Sequence, residues 1–156
     1  MVIQRWQSVM LLIACVMMAC FSFVSLGQVQ APDYTFNFTT LGFFSEGQPT
    51  GGANSVEVST WYLFIISLMS AILALVNIFC YRNFRLQKNL CFVVIMFVLV
   101  TAGIAAWLGY TAIPEGRIGW SVNVIEPLIA VVAVIMAYRM ICSDERKIRS
   151  VDHFRD

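Results

Sequence analysis

Four stretches of the chain are almost free of charge and are separated by shorter polar segments. Residues 9–27, 61–80 and 90–110 contain no Asp, Glu, Lys or Arg, and residues 119–138 contain only Glu126. Each stretch has 19 to 21 residues, and about 20 residues of helix cross the ~30 Å of hydrocarbon in a bilayer. Because backbone groups in lipid must be paired within their own segment, each stretch is predicted to be a transmembrane helix.

The composition agrees with a membrane protein. Of the 156 residues, 60% are hydrophobic and only 12% are charged, and the mean hydropathy is +0.79, whereas a soluble domain carries about 25% charged residues. We therefore predict one all-α membrane domain over residues 1–156, with the lipid bilayer as its partner. The first stretch is expected to stay as a membrane helix and not to be cleaved, because the chain remains apolar well beyond Cys15.

The basic residues concentrate on one side of the predicted membrane. Nine of the ten precede the first stretch, join the second to the third, or follow the fourth: Arg5, Arg82, Arg85, Lys88, Arg139, Arg146, Lys147, Arg149 and Arg155. Only Arg117 falls on the other side. The positive-inside rule then predicts that both termini are cytoplasmic. No aromatic-interleaved basic surface accompanies these residues, so binding to nucleic acid is not expected.

The outer loop, residues 28–60, contains two alternating segments. "DYTFNF" and "SVEVST" alternate apolar and polar side chains around a Gly- and Pro-rich centre. This pattern predicts a small antiparallel β-hairpin between helices 1 and 2. Two roles remain open for it, a structural lid on the bundle and an edge on which a partner docks.

The cytoplasmic tail, residues 142–156, carries a helical pattern. Ile148, Val151 and Phe154 recur three positions apart, which predicts a short amphipathic C-terminal helix that Ser143 could cap. Such a helix lies along the membrane surface or meets a cytoplasmic protein.

Glu126 lies inside the fourth apolar stretch, directly before Pro127. Counted from Trp120 at 1.5 Å per residue, it is about 9 Å inside the outer boundary. Pro127 is expected to leave the carbonyl of Asn123 without its helical hydrogen bond. Three polar side chains at similar depth or on the same helical face are predicted to form a polar layer with Glu126: Asn123, Ser22 and Ser67.

Two interpretations of this layer compete. In one, Glu126 is hydrogen-bonded and fixes the register of the helices; in the other, it is an ion or proton relay, the usual suspicion for an intramembrane acid. The first three apolar stretches supply no further ionisable acid or base, which favours the structural role.

Sequence motifs for catalysis or metal binding are missing. The chain has one histidine, His153, and neither a Ser/His/Asp set nor metal-ligand spacing of Cys and His. All five cysteines lie in the apolar stretches or at their inner borders, so no disulfide framework is expected. No enzymatic activity, cofactor or metal is predicted.

Motifs at the two ends of the chain carry a family resemblance. They are "IQRWQSVMLLIA" at 3–14 and "SDERKIRSVDHFRD" at 143–156, with matching positions Ile3, Gln4, Arg5, Gln7, Asp144, Glu145, Arg149, Ser150, Asp152 and Arg155. They resemble the opening and closing motifs of an uncharacterised four-span family of Bacteroidetes, known as a numbered domain of unknown function. The chain departs from that pattern at Met10 and His153. The resemblance implies a location in the bacterial inner (plasma) membrane and implies no activity.

The polar residues of the two end motifs are predicted to meet at the cytoplasmic face. Charge-assisted hydrogen bonds there would close the base of the bundle, through Gln4, Arg5 and Gln7 on one side and Arg149, Asp152 and Arg155 on the other.

Two functions follow from the sequence. The leading one is a non-enzymatic accessory or assembly subunit of a membrane complex, with a protein partner at the hairpin or the tail. The alternative is a small transporter or channel that binds an ion or proton at Glu126. Co-purification would support the first function, and ion flux that depends on Glu126 would support the second.

Overall fold

Four long helices dominate the structure, a computed structural model that describes residues 2–30, 35–46, 56–80, 83–112 and 117–152. The helices are α1 (Val2–Phe23), α2 (Trp61–Phe79), α3 (Phe84–Thr111) and α4 (Glu126–Asp152). By length and composition, four segments are suited to cross a membrane: Trp6–Phe23, Trp61–Phe79, Phe84–Thr111 and Val122–Lys147. The prediction of four candidate spans is confirmed, and helix length and hydropathy make the chain a multi-pass membrane protein.

The helices form a bundle in which α1 and α3 each pack against α2 and α4. Small side chains fill much of the interior: Ala14, Ala71, Ala74, Ala105, Ala130, Ala133 and Ala137 are buried. Such residues let helices approach closely where apolar burial in lipid supplies little drive for association. Large apolar side chains point outwards instead, as in Phe92, which is 65% exposed, and Leu128, which is 62% exposed.

An antiparallel sheet lies at the end of the bundle where α1 ends and α2 begins, here called the sheet end. Its strands are β1 (Gly27–Gln30), β2 (Thr35–Phe38), β3 (Gly42–Glu46), β4 (Val56–Ser59) and β5 (Arg117–Trp120), in the order β4-β3-β2-β1-β5. The first four strands lie between α1 and α2, and β5 comes from the connection between α3 and α4. The opposite end of the bundle, where α1 begins and α4 ends, is called the terminal end.

The predicted hairpin is wrong in its pairing. The two alternating segments do form strands β2 and β4, but β3 lies between them. Strand β3 begins before the Gly- and Pro-rich centre, residues 45–54, and its last two residues, Ser45 and Glu46, extend into it. Strand β5 pairs with β1 across most of the chain, and no local pattern of side chains reports so distant a contact.

Aromatic packing joins the sheet to the bundle. Phe38 and Phe43 are fully buried and stack with their ring centroids 4.4 Å apart and an interplanar angle of 6°. Phe38 also meets Trp120 edge-to-face at 6.4 Å, in an arrangement that adds to the energy of burial. Val29 and Leu26 complete the apolar face.

Hydrogen bonds fix the sheet to the ends of α1 and α2. Thr40 donates its hydroxyl to the carbonyl of Ser22 at 2.6 Å, and Thr60 donates its hydroxyl to the carbonyl of Thr40 at 3.1 Å. The amide of Leu26 donates to the carbonyl of Phe38 at 2.7 Å. Because all these partners are buried, the sheet is held as a continuation of the bundle.

Two glycines allow β5 to sit close to its neighbours. A Cβ at Gly27 would lie 2.6 Å from the backbone oxygen of Gly119, across the β1–β5 pair. A Cβ at Gly109, in α3, would lie 2.5 Å from the indole of Trp120 and 2.6 Å from the side chain of Ile118. Gly27 therefore needs a residue without a side chain, and a Cβ at Gly109 would force the side chains of Trp120 and Ile118 to move.

The helix boundaries differ from the predicted spans at the sheet end. The first span was expected to reach Gly27, but α1 ends at Phe23 and Gly27 begins β1. The fourth was expected to begin at Gly119, but β5 runs to Trp120 and a 3₁₀ turn (Val122–Ile125) precedes α4. The end of the first apolar stretch and the start of the fourth are therefore paired as β1 and β5 and are not part of the helices.

The prediction of a separate C-terminal helix is wrong. Helix α4 runs unbroken to Asp152, and Ser143 lies in its interior and caps no new helix. No Gly or Pro occurs between Tyr138 and Asp152 to stop the helix. The single domain over residues 1–156 remains a prediction, and Phe154 lies outside the described residues.

Candidate functional site

Glu126 occupies the first turn of α4, and not the interior of a longer helix. The preceding 3₁₀ turn ends at Ile125, and Pro127 follows at a position where its missing N–H costs no helical hydrogen bond. A carboxylate at a helix N-terminus also interacts favourably with the helix dipole. Its Oε2 atom is nevertheless buried, without a hydrogen-bond partner among the described residues. The pair Glu126–Pro127 thus marks the start of a helix and leaves one buried acceptor.

Two of the other predicted members of the polar layer come together. The hydroxyls of Ser22 in α1 and Ser67 in α2 are 2.8 Å apart, and both residues are buried. Ser22 also contacts the carbonyl of Met18 at 2.8 Å, and Ser67 that of Phe64 at 2.9 Å. This pair is a polar link between α1 and α2.

Asn123 is directed elsewhere. Its side-chain amide donates to the carbonyl of Ser25, just after α1, at 3.0 Å. The carbonyl of Asn123 accepts from the backbone amide of Glu126, so the expectation that Pro127 leaves it unbonded is wrong. The 3₁₀ turn supplies the shorter bond that a regular helix would lack.

A small apolar cavity lies beneath the sheet, beside the start of α4. It has a volume of ≈ 190 Å³ and is lined by Phe21, Leu26, Ala102, Ala105, Ala106, Tyr110, Trp120, Val124 and Pro127. Glu126 is not part of its lining. The cavity therefore suits an apolar group, and it provides no polar environment for the carboxylate of Glu126.

A second set of buried polar side chains lies at the terminal end, with one member on each helix. These side chains are Gln7 in α1, Asn77 in α2, Gln87 in α3 and Asp144 in α4, each at most 7% exposed. We call this set the terminal polar layer. Gln7 donates a hydrogen bond from its amide to the carboxylate of Asp144, which joins the first helix to the last.

The two amides in the middle of the chain have free acceptor atoms. Asn77 donates to the sulfur of Cys91 at 3.1 Å, and Gln87 lies one helical turn before Cys91 on the same buried face of α3. The amide oxygens of Asn77 and Gln87 have no hydrogen-bond partner among the described residues. Such oxygens accept hydrogen bonds and donate none, so this layer suits donors or structural water.

An ion pair flanks the terminal polar layer. Lys88 in α3 and Glu145 in α4 are 2.6 Å apart, and their side chains are 25% and 17% exposed. Since Lys88 follows Gln87 and Glu145 follows Asp144, the ion pair lies beside the buried layer and ties α3 to α4.

Of the six residues predicted to join the two ends of the chain, Gln7 makes a contact between α1 and α4. Gln7 bonds to α4, but its partner is Asp144 and not a residue nearer the C-terminus. The side chains of the other predicted residues, Gln4, Arg5, Arg149 and Asp152, and the whole of Arg155 lie outside the described part of the chain.

Of the terminal polar layer, Asn77 and Gln87 were not predicted from the sequence. Asn77 is a lone amide in an apolar stretch, and Gln87 is spaced four positions before Cys91. That spacing places both side chains on one helical face, which is the signal that could have revealed the layer.

Among the thiols and possible metal ligands, Cys91 contacts the terminal polar layer by accepting from Asn77, and Asp144 belongs to that layer. No three His, Cys, Asp or Glu side chains in the described part of the chain are grouped so that they could hold a metal ion. All five cysteines are free thiols.

Comparison with known proteins agrees with the resemblance seen at the chain ends. No curated protein matches the sequence. A family model does match, across residues 3–154, which confirms the expected relation to a numbered domain of unknown function. The chain belongs to the family described as "Domain of unknown function (DUF4293)".

Proposed function

We propose that this multi-pass protein is a non-enzymatic accessory or assembly subunit of a complex in the bacterial inner membrane. The observation that carries the proposal is the position of β4 at an edge of the sheet. Strand β4 pairs with β3 on one side, and no strand in the described part of the chain pairs with its other side. An edge strand presents unpaired backbone groups that can add a strand from a partner.

The packing of the bundle also supports a structural role. Between the Ser22–Ser67 pair and the terminal polar layer, the interior contains buried apolar side chains, among them Leu11, Met18, Val94, Val98 and Val134. Ser70, a buried residue about one turn closer to the terminal end than Ser67, bonds to the carbonyl of Ser67 in its own helix. A transport path needs polar groups in sequence through the membrane, and this packing favours a scaffold.

Both termini are proposed to be cytoplasmic, with the sheet outside the cytoplasm. The support is the distribution of basic residues, nine of ten of which flank the terminal end in the sequence. A reporter that is active only in the cytoplasm, fused after Asp156, should be active. The same reporter inserted after Ala31 should be inactive, and the reverse pattern would overturn the orientation.

Site-specific photo-crosslinking tests the role as a subunit. A photoreactive amino acid at Ser59, an exposed residue at the end of the edge strand β4, should give a discrete adduct with one other protein in living cells. The matched control is Leu99, which is 50% exposed on the outer face of α3 and should contact lipid. Equal adducts at both positions, or none at Ser59 in a protein that is otherwise abundant and folded, would count against the proposal.

A small transporter or channel is the second candidate, and the buried Oε2 atom of Glu126 favours it. Glu126→Gln keeps the size of the side chain and removes its charge. If the variant assembles normally but loses an ion flux measured in proteoliposomes, the transporter function replaces the scaffold. If flux is the same with and without the substitution, the carboxylate carries no ion.

A further inference from the structure

A groove between α3 and α4 opens at the terminal end, outside the terminal polar layer. Its volume is ≈ 470 Å³, and it is lined by Lys88, Asn89, Phe92, Ile95 and Tyr138. Polar side chains from both helices therefore meet an apolar wall within one groove.

The position of this groove along α3 coincides with the edge of the hydrocarbon layer. Residues 90–110 carry no charge, and their length at 1.5 Å per residue is about 31 Å, close to the thickness of the bilayer core. Lys88 and Asn89 come immediately before this stretch, whereas Phe92 and Ile95 lie inside it, about one and two helical turns after Lys88. The polar part of the groove is thus at headgroup level and the apolar part at acyl-chain level.

The groove offers one oriented cation, the ammonium of Lys88, which is paired with Glu145. Glu145 holds the ammonium of Lys88 at 2.6 Å, and an ammonium has three N–H donors, so it can donate to a second anion while this bond is kept. Arg85 is exposed one turn before Lys88 and Asn89 on the same side of α3. The amide of Asn89 adds a hydrogen-bond donor.

We propose that this groove binds the phosphate of an anionic phospholipid such as phosphatidylglycerol. Lys88 and Asn89 contact the phosphate, and one acyl chain lies along Phe92 and Ile95. A lipid suits the groove because its anionic headgroup and its apolar acyl chain would lie at the levels of the polar part and the apolar part of the groove. Basic pockets between membrane helices recognise anionic headgroups in this way. The assignment does not depend on which side of the membrane the terminal end faces.

Native mass spectrometry of the purified full chain in detergent tests the proposal. The protein is titrated with phosphatidylglycerol or with phosphatidylcholine of the same acyl chains, and the bound lipid is counted. The unaltered protein should retain one phosphatidylglycerol with about tenfold higher affinity than phosphatidylcholine. Both lipids carry the phosphate, but the cationic choline of phosphatidylcholine is repelled by Lys88 and Arg85. Each Lys or Arg near an anionic headgroup contributes about 1 kcal/mol, and 1.4 kcal/mol is tenfold. Equal retention of the two lipids would overturn the proposal.

Four variants separate phosphate binding from the stability of the ion pair. Lys88→Gln and Glu145→Gln both break the pair, but only Lys88→Gln removes the phosphate donor and should abolish the preference. Lys88→Arg should restore it. Arg146→Gln removes one exposed positive charge at the same end and should leave the preference unchanged.

Each remaining outcome counts against the lipid site. Loss of the preference in Glu145→Gln would mean that the ion pair, and not the phosphate contact, controls retention. Loss in Arg146→Gln would mean that the lipid responds to overall charge. Displacement of the lipid by inorganic phosphate would mean that the groove takes the free anion, and an acidic protein segment that protects the groove from lipid would make it a protein contact.

Discussion

Gln7, near the start of α1, donates a hydrogen bond to the buried carboxylate of Asp144, near the end of α4. The two residues are separated by 137 positions in sequence, so this bond closes the bundle between its first and last helices. The same two helices are neighbours along their length. The contact gives the chain ends a specific register, which an interface made only of apolar side chains would leave less defined.

Gln7→Leu should destabilise the protein by about 1–3 kcal/mol, because the carboxylate of Asp144 stays buried without its donor. Unfolding in detergent, followed by the loss of helical circular dichroism, measures the change. Val9→Leu is the matched control: it is two positions away and 41% exposed, and should shift stability by less than about 0.5 kcal/mol. If both variants behaved alike, the hydrogen bond would have no part in stability.

Gly27→Ala should cost about 1–3 kcal/mol. The new Cβ would meet the oxygen of Gly119 at 2.6 Å and the Cα of Trp120 at 3.3 Å, and backbone atoms of a paired strand cannot move aside alone. Gly119→Ala is the control within the same pair of strands, because its nearest atom, the oxygen of Gln28, is at an ordinary 3.6 Å. Thermal unfolding of the two variants should differ clearly, and equal stability would mean that β5 does not approach β1 this closely.

The helices could be predicted from the sequence because the property that defines them is local. An uncharged stretch of membrane-spanning length has one stable conformation in lipid, and all four stretches form helices. Their ends could not be predicted, because α1 stops where β1 pairs with β5. Gly27 faces Trp120 in that pair, and the two residues are far apart in sequence.

The candidate site shows the same limit. Counting residues from the membrane boundary placed Ser22 and Ser67 at similar depth, and their hydroxyls do form a hydrogen bond. The count works here because both residues lie in continuous helices, in which depth changes by a constant 1.5 Å per residue. The count failed for Asn123, because strand β5 and a 3₁₀ turn replace the expected helix before Glu126. At the other end, the sequence analysis expected Asp152 to meet α1. In the unbroken α4, Asp152 lies about 12 Å beyond Asp144.

The Ser22–Ser67 pair should show a coupling of about 0.6 kcal/mol, the average for hydrogen bonds between membrane helices. The coupling is measured by a double-mutant cycle with Ser22→Ala and Ser67→Ala, using unfolding in detergent. It should be small, because each hydroxyl also contacts a carbonyl of its own helix. Ser22→Ala combined with Thr101→Ala is the control cycle, since Thr101 bonds to Phe97 in α3, and it should be additive. A coupling as large in the control would show that the cycle reports general loosening of the bundle.

Ser143→Ala distinguishes an unbroken α4 from a separate tail helix. In the unbroken helix, Ser143 is an exposed interior position, and alanine, the best helix former, should leave stability unchanged or raise it by up to about 0.5 kcal/mol. If Ser143 instead capped a tail helix, alanine would cost about 1 kcal/mol. Ser143→Pro should cost about 3 kcal/mol or more in the unbroken helix. Ser143→Pro should also separate Glu145 from Lys88, so adding Glu145→Gln to this variant should not change its stability further. If Glu145→Gln still lowered the stability of the Ser143→Pro variant, α4 would already be interrupted before Glu145.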